Sequence, residues 1–281
     1  MKFGVSLFFT EHSIRPEVLA PELERRGFES VWSGEHSHIP DDLKARPPQT
    51  GVKRWYYDVM DPFVTLTGAA LATTTLRIGT GVCLIPQRDP IQTAKLVASI
   101  DQMSRGRFLF GVGNGWNRGE IENHGTDFPS RHKRARESIE AMKAIWTQET
   151  ASYQGEIVGF TALKTWPKPA QRPHPPILVG GAFPYSARRA IRYGDGWLPS
   201  AMAGKSDVLE EIPLFRQMAR DAGRDPASLP ITAWYPARDA DLLKRYRDLG
   251  VERAVFTVPS DAADAVWPHL DELGALMAKL A

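Results

Sequence analysis

Short runs rich in β-branched and aromatic residues alternate with longer helical stretches from one end of this chain to the other. That alternation limits what the chain can fold into more than any single motif does. Eight strand candidates can be counted: Phe3 to Phe9, Ser30 to Ser33, Arg77 to Leu84, Arg107 to Val112, Ile177 to Val179, Gly196 to Pro199, Ile231 to Tyr235 and Arg253 to Val258. Most are apolar at successive positions, as strands covered on both faces must be. The helices between them carry start signals. Asp61-Pro62 and Asp89-Pro90 each set a capping acid before a proline at the first helical position, where the missing N–H costs nothing. After the second, Leu96, Val97, Ile100 and Met103 recur at helical spacing and predict a buried face that ends at Gly106.

Nothing interrupts the pattern as a linker would, and 281 residues suit one large core. The expectation is an α/β chain forming one (β/α)8 TIM barrel domain over 1–281, with loop insertions after strands 2 and 4; a doubly wound open sheet is the alternative. The insertions are 37–60, with Pro40, Pro47, Pro48 and Trp55-Tyr56-Tyr57, and the proline-rich 151–176. The first reads as a lid and the second as a wrap around the barrel, or both as contacts between copies.

Thirty-five basic and thirty-three acidic side chains leave a formal charge of +2, which argues against a nucleic-acid or membrane surface. The single Cys83 excludes an internal disulfide. With no signal-peptide pattern and no long apolar run, the expected location is the cytoplasm.

Barrels of this kind place their chemistry at the carboxyl ends of the strands. There this chain has Gly34-Glu35-His36, Gly81-Val82-Cys83, Gly113-Asn114-Gly115-Trp116 and Gly180-Gly181-Ala182. One glycine-rich strand end is a turn; three around one rim suggest close approach of a flat or phosphorylated ligand. His36-Ser37-His38 has a chelating spacing, but no further histidine ends a strand, so no metal is expected and His38 reads as a solvated loop residue. Gly111 to Trp116 lacks the third glycine of a dinucleotide fingerprint. Ser130 reads as the N-cap of a helix to Trp146 whose first turns are basic, Arg131-His132-Lys133-Arg134-Ala135-Arg136. Cations are unfavourable at that end of a helix, and a bound phosphate or carboxylate would relieve them; a solvated basic face is the alternative.

These pieces together resemble the bacterial luciferase-like superfamily, especially its short coenzyme F420-dependent oxidoreductases. The resemblance runs from Lys2-Phe3-Gly4-Val5 to Asp195-Gly196-Trp197 and is carried by Gly34-Glu35-His36, by Asp61 to Leu66, by Leu76 to Val82, by Ser104 to Arg107 with Gly111 to Trp116, and by Pro175 to Gly181. It implies a barrel, commonly dimeric, with a deazaflavin or flavin ring at the strand ends and a non-proline cis peptide at Gly81-Val82. It further implies Glu35 and His36 as the acid and histidine beside the reactive ring, Gly113, Asn114 and Gly115 along the cofactor, and Gly180, Gly181 and Ala182, with Arg131, at its phosphate.

Sugar-phosphate dehydrogenases of the family carry an acid directly after the G-x-G-x-G stretch, where this chain has Trp116; Glu120, one helical turn on, is not counted as its replacement. The implied activity is hydride transfer as a reductase, with coenzyme F420 as cofactor and Phe8, Phe9, Trp55, Tyr56 and Trp116 walling an apolar substrate pocket. The rival is an FMN-dependent monooxygenase, which needs a flavin reductase partner; a non-catalytic cofactor-binding protein would not need His36.

Overall fold

The computed structural model describes residues 1–41, 53–201 and 207–280. Among them, eight parallel strands form a barrel, numbered in chain order β1 (Lys2–Leu7), β2 (Ser30–Ser33), β3 (Arg77–Thr80), β4 (Phe108–Gly113), β5 (Ile177–Gly181), β6 (Gly196–Pro199), β7 (Thr232–Trp234) and β8 (Arg253–Thr257). Each pairs with its neighbour in sequence, and β8 pairs back onto β1. Parallel bridges from Trp197 to Ile231 and from Ser200 to Trp234 join β6 to β7. The sheet therefore closes into a (β/α)8 TIM barrel, and the open-sheet alternative is excluded.

Strand periodicity divides the core in two. Trp32, Leu109, Leu178, Leu198, Trp234 and Val255 form the cluster inside the barrel. Their neighbours Val31, Phe108, Phe110, Ile177 and Val179 belong to the larger cluster under the helices. Alternate side chains point to opposite faces, so a strand covered on both faces is apolar throughout. Each large side chain so buried contributes about 1.5–3 kcal/mol. Two tryptophans inside the ring need space beside them: a Cβ at Gly79 would lie 2.4 Å from the Trp32 ring, and one at Gly81 would lie 2.1 Å from that of Trp234.

The helix starts form as expected. Asp61 Oδ1 accepts the Phe63 N–H at 2.8 Å and opens Pro62–Leu71; Asp89 Oδ1 accepts the Gln92 N–H at 2.8 Å and opens Pro90–Met103. Past that helix, Arg105 and Gly106 both take left-handed backbone angles, and the Gly106 N–H returns to the Asp101 carbonyl.

Four expectations need correction. Leu96 and Met103 are exposed, because the buried stripe of Pro90–Met103 is Thr93, Ala94, Val97, Ala98, Ile100 and Asp101. The run Arg77 to Leu84 is not one strand: it breaks after Thr80 and resumes only at Cys83–Leu84. The second insertion holds an antiparallel hairpin, Ala151–Gln154 with Gly159–Leu163, before its proline-rich part. Ser130 does not cap with its side chain; a 3-10 turn at Phe128–Ser130 comes first, capped by Asp127, and the helix is Arg131–Thr147. Of the first insertion, Pro47 and Pro48 lie outside the described residues, while Trp55–Asp58 forms a short helix. No helix among the described residues is long and apolar enough to cross a membrane.

Candidate active site

The segments that follow β2, β3, β4 and β5 meet at one mouth of the barrel. After β3 the Gly81–Val82 peptide is cis, as the resemblance implied. Val82 then lies between the neighbouring strand ends: a Cβ on Gly113 would fall 2.4 Å from one of its methyls and a Cβ on Gly180 3.1 Å from the other. The glycine-rich rim thus has a structural cause in addition to any ligand. Gly81 makes room for Trp234, and Gly113 and Gly180 make room for Val82.

Glu35 and His36 leave β2 together and then part. The Glu35 carboxylate is buried and accepts the Leu84 N–H and the Arg88 Nε–H, each at 2.6 Å. Arg88 continues to Asp61 Oδ2 at 2.7 Å, and Asp61 caps the next helix. Glu35 therefore ties β2, the segment after β3 and Pro62–Leu71 to one another, and its acceptor oxygens are spent on that task.

The His36 ring turns to the other side and meets Glu120, the residue that sequence reasoning discounted. His36 Nδ1 lies 2.7 Å from Glu120 Oε2, while Glu120 Oε1 accepts the Ser37 N–H at 2.8 Å. Asn117 caps the short helix Arg118–Asn123 through the Glu120 N–H, which places this glutamate on the helix's inner face, 1% exposed. The signal available in the sequence was the cap spacing Asn117-Arg118-Gly119-Glu120, which reads as a helix start and says nothing of a partner 84 residues away.

Burial by itself would raise the Glu120 carboxyl. Hydrogen bonds from His36 and the Ser37 N–H, with the nearby imidazole charge, outweigh it and hold the group below the usual carboxylate range. An ionised carboxylate only accepts, so a neutral His36 imidazole facing it carries its one proton on Nδ1 and keeps a lone pair on Nε2. No described residue hydrogen-bonds to Nε2. Tyr56 and Trp116 pack edge-on to the ring, with centroids 4.9 and 5.7 Å away, and Phe8 lies against Tyr56 at 5.0 Å. Of the five aromatic residues expected to wall a pocket, these three gather around His36. Phe9 is in the core instead, and Trp55 packs with Lys53.

A second group of residues collects where the ends of β4 and β5 lead into their helices. The Arg131 guanidinium stacks on Phe128, 3.7 Å from the ring centroid, and donates to the Phe128 carbonyl. Arg189, on the helix Tyr185–Tyr193, reaches Gly181, where a Cβ would lie 3.1 Å from its terminal nitrogen. Gly181 has φ of 125°, a conformation that leaves the approach open. Among the described residues neither arginine has a carboxylate partner, and the Nε of each is buried without a hydrogen bond.

Burial first, then the mutual repulsion of Arg131, Arg189 and Arg118, holds the Arg131 guanidinium below its ordinary value. Burial and the same two neighbouring arginines, Arg131 and Arg189, lower His132 to about 4, so this imidazole is neutral and its Nδ1 accepts from the Asn114 amide at 2.5 Å. Unpaired, partly desolvated cations beside open backbone are what an anionic group would complete. The structure thus brings Asn114, Gly181 and Arg131 into one neighbourhood and adds Arg189, which the sequence did not single out.

Three comparisons bear on this geometry. The model of the family described as luciferase-like monooxygenase matches residues 1–246. The chain is 38% identical over 288 residues to an uncharacterised protein of Mycobacterium tuberculosis (strain ATCC 25618 / H37Rv), covering 99% of each. It is 31% identical over 232 residues to the F420-dependent hydroxymycolic acid dehydrogenase of the same strain, covering 80% of this chain and 60% of that one. The fold is similar to that of monooxygenase RslO1 from Streptomyces bottropensis, with a TM-score of 0.80 at 22% identity and 99% of both chains covered.

Proposed function

This chain belongs to the luciferase-like monooxygenase family, and on that premise we propose that it transfers a hydride between coenzyme F420 and a small, uncharged, apolar substrate. The observation that carries this reading is the buried His36–Glu120 pair at the barrel mouth, 2.7 Å apart, with Tyr56 and Trp116 against the imidazole.

Asn114, Arg131, Arg189 and the backbone at Gly181 and Ala182 would hold the phosphate of the cofactor, and Gly81, Val82, Gly113 and Gly115 would support its ring. The bound deazaflavin supplies the hydride chemistry. The chain's own residues supply the proton. Glu120 fixes the Nδ1–H tautomer of His36, so Nε2 takes the proton of an alcohol being oxidised, or, once protonated, returns one to the oxygen of a carbonyl being reduced. Tyr56, Trp116 and Phe8 set apolar faces beside His36 and favour an apolar substrate.

The argument for a reductase from the missing acid at position 116 no longer holds, because Glu120 supplies a carboxylate beside His36. Both directions are open to the pair, and the redox state of the supplied cofactor selects between them. The deazaflavin is preferred over FMN on the 31% identical F420-dependent relative, because Arg131 and Arg189 suit the anionic tail of either cofactor.

The experiment is titration of the purified protein with oxidised and reduced coenzyme F420, and separately with FMN, followed by fluorescence. Tighter binding of F420 is expected. Preferential binding of FMN would replace this function with a monooxygenase served by a flavin reductase, and binding of neither ring would remove it.

A further inference from the structure

Beyond the His36–Glu120 pair lies a second layer of polar residues to which the proposed chemistry gives no role. Ser37 Oγ is 2.7 Å from His124 Nε2, 2.9 Å from His38 Nδ1 and 3.4 Å from Glu120 Oε1. The Asn123 side-chain nitrogen is 2.9 Å from His38 Nε2. His124 is exposed and His38 half-buried, so solvent reaches this layer but not Glu120 behind it.

We propose that Ser37 and His124 are positioning residues that set the proton affinity of His36 by sharing one hydroxyl proton between His124 and Glu120. It rests on the reading of His36 as the acid–base residue of a hydride-transfer enzyme.

A serine hydroxyl has one proton to give and two lone pairs with which to accept. Asn123 donates to His38 Nε2, so neutral His38 carries its proton on Nδ1 and donates to Ser37 Oγ. The hydroxyl proton then has two acceptors in reach, His124 Nε2 and Glu120 Oε1. While His124 is neutral the closer nitrogen takes it. Once His124 is protonated its Nε2 becomes a donor, and the hydroxyl proton turns to Glu120.

Glu120 then accepts from His36, from the Ser37 N–H and from the Ser37 O–H. Its pull on His36 Nδ1–H weakens, and the added positive charge nearby acts in the same direction, so His36 binds its second proton less readily. Among the described residues, the ionisable groups around this layer are His36 and His38 on its own segment, Arg118, Glu120 and Glu122 on the helix across from it, and the Tyr56 phenol on Trp55–Asp58. Arg118 and Glu122 pair with each other, and burial keeps Tyr56 protonated by raising its phenol.

The test is a titration of the histidine side chains by 15N NMR on the purified chain without cofactor. In the wild type, His36 is expected to titrate in two steps, one at the pH where His124 ionises. Ser37→Ala and His124→Gln are expected to lose that step, and Ser37→Thr, which keeps the hydroxyl, to retain it. Loosening of the site by the alanine would shift the His36 midpoint without removing a step. A single-step titration of wild-type His36, or a second step that survives in either Ser37→Ala or His124→Gln, overturns the proposal. Because no cofactor is present, coupling between the histidines can be found even if neither ring binds, in which case the function falls and the coupling stands.

Discussion

Glu35 and His36 are neighbours in the chain, yet their side chains serve opposite ends of the site: Glu35 holds Arg88 and the Leu84 N–H, while His36 Nδ1 meets Glu120 at 2.7 Å. One residue fixes the frame, and the other keeps an Nε2 to which no described residue hydrogen-bonds.

His36→Ala should leave the affinity for coenzyme F420 nearly unchanged and lower turnover by about 10²- to 10⁴-fold, the usual worth of a positioned acid or base. Glu120→Gln should cost a similar order, because an amide nitrogen facing Nδ1 forces the other tautomer and blocks Nε2. Steady-state kinetics with a binding titration on each variant reads both. Loss of cofactor affinity in His36→Ala, with unchanged kcat, would contradict the assignment.

Glu35→Ala should act on stability first. It leaves the Arg88 charge largely buried with Asp61 as its one carboxylate partner among the described residues, and breaking a buried pair costs about 3–5 kcal/mol; the remaining Asp61 contact places this one at the low end. Urea denaturation gives the number. A Glu35→Ala protein as stable as the wild type but inactive would instead put this acid in the chemistry.

Arg189→Ala and Arg131→Ala should each weaken cofactor binding by about 10- to 100-fold, the loss of one charge-assisted hydrogen bond of about 1.5–3 kcal/mol. Neither should destabilise the cofactor-free protein through charge, since each removal relieves the repulsion between Arg131 and Arg189. Binding isotherms at two salt concentrations, with thermal melts of the free protein, test both halves. Unaltered affinity in both variants would move the phosphate site elsewhere.

His132 is expected to make the free protein less stable in mild acid. Its folded-state value is depressed from 6.5 to about 4, so the unfolded chain takes up the proton first. The contribution is intact above about 6.5 and is lost progressively as the pH falls to about 4. His132→Asn should flatten the stability profile in that window, measured by urea denaturation at a series of pH values. An equally steep loss in the variant would assign the effect to other groups.

Much of the frame was legible from local signals. Strand and helix runs, the caps at Asp61 and Asp89 and the glycine-dense strand ends are short-range properties, and a chain that alternates in this way has few ways to bury both faces of its sheet. Arg131 was legible for the same reason, as a cation at a helix start where none is favoured.

What the sequence indicated by itself, then, was eight strands alternating with helices and a ring preferred to an open sheet, because periodicity and capping act between residues a few positions apart. The tertiary structure alone decided that Glu120 rather than Glu35 serves His36, that Arg189 joins Arg131, and that Val82 and Trp234 fill the spaces beside the rim glycines. Those relationships join residues dozens to more than a hundred positions apart. They are fixed by the register of the strands and the directions in which packed side chains leave them, which no local pattern encodes.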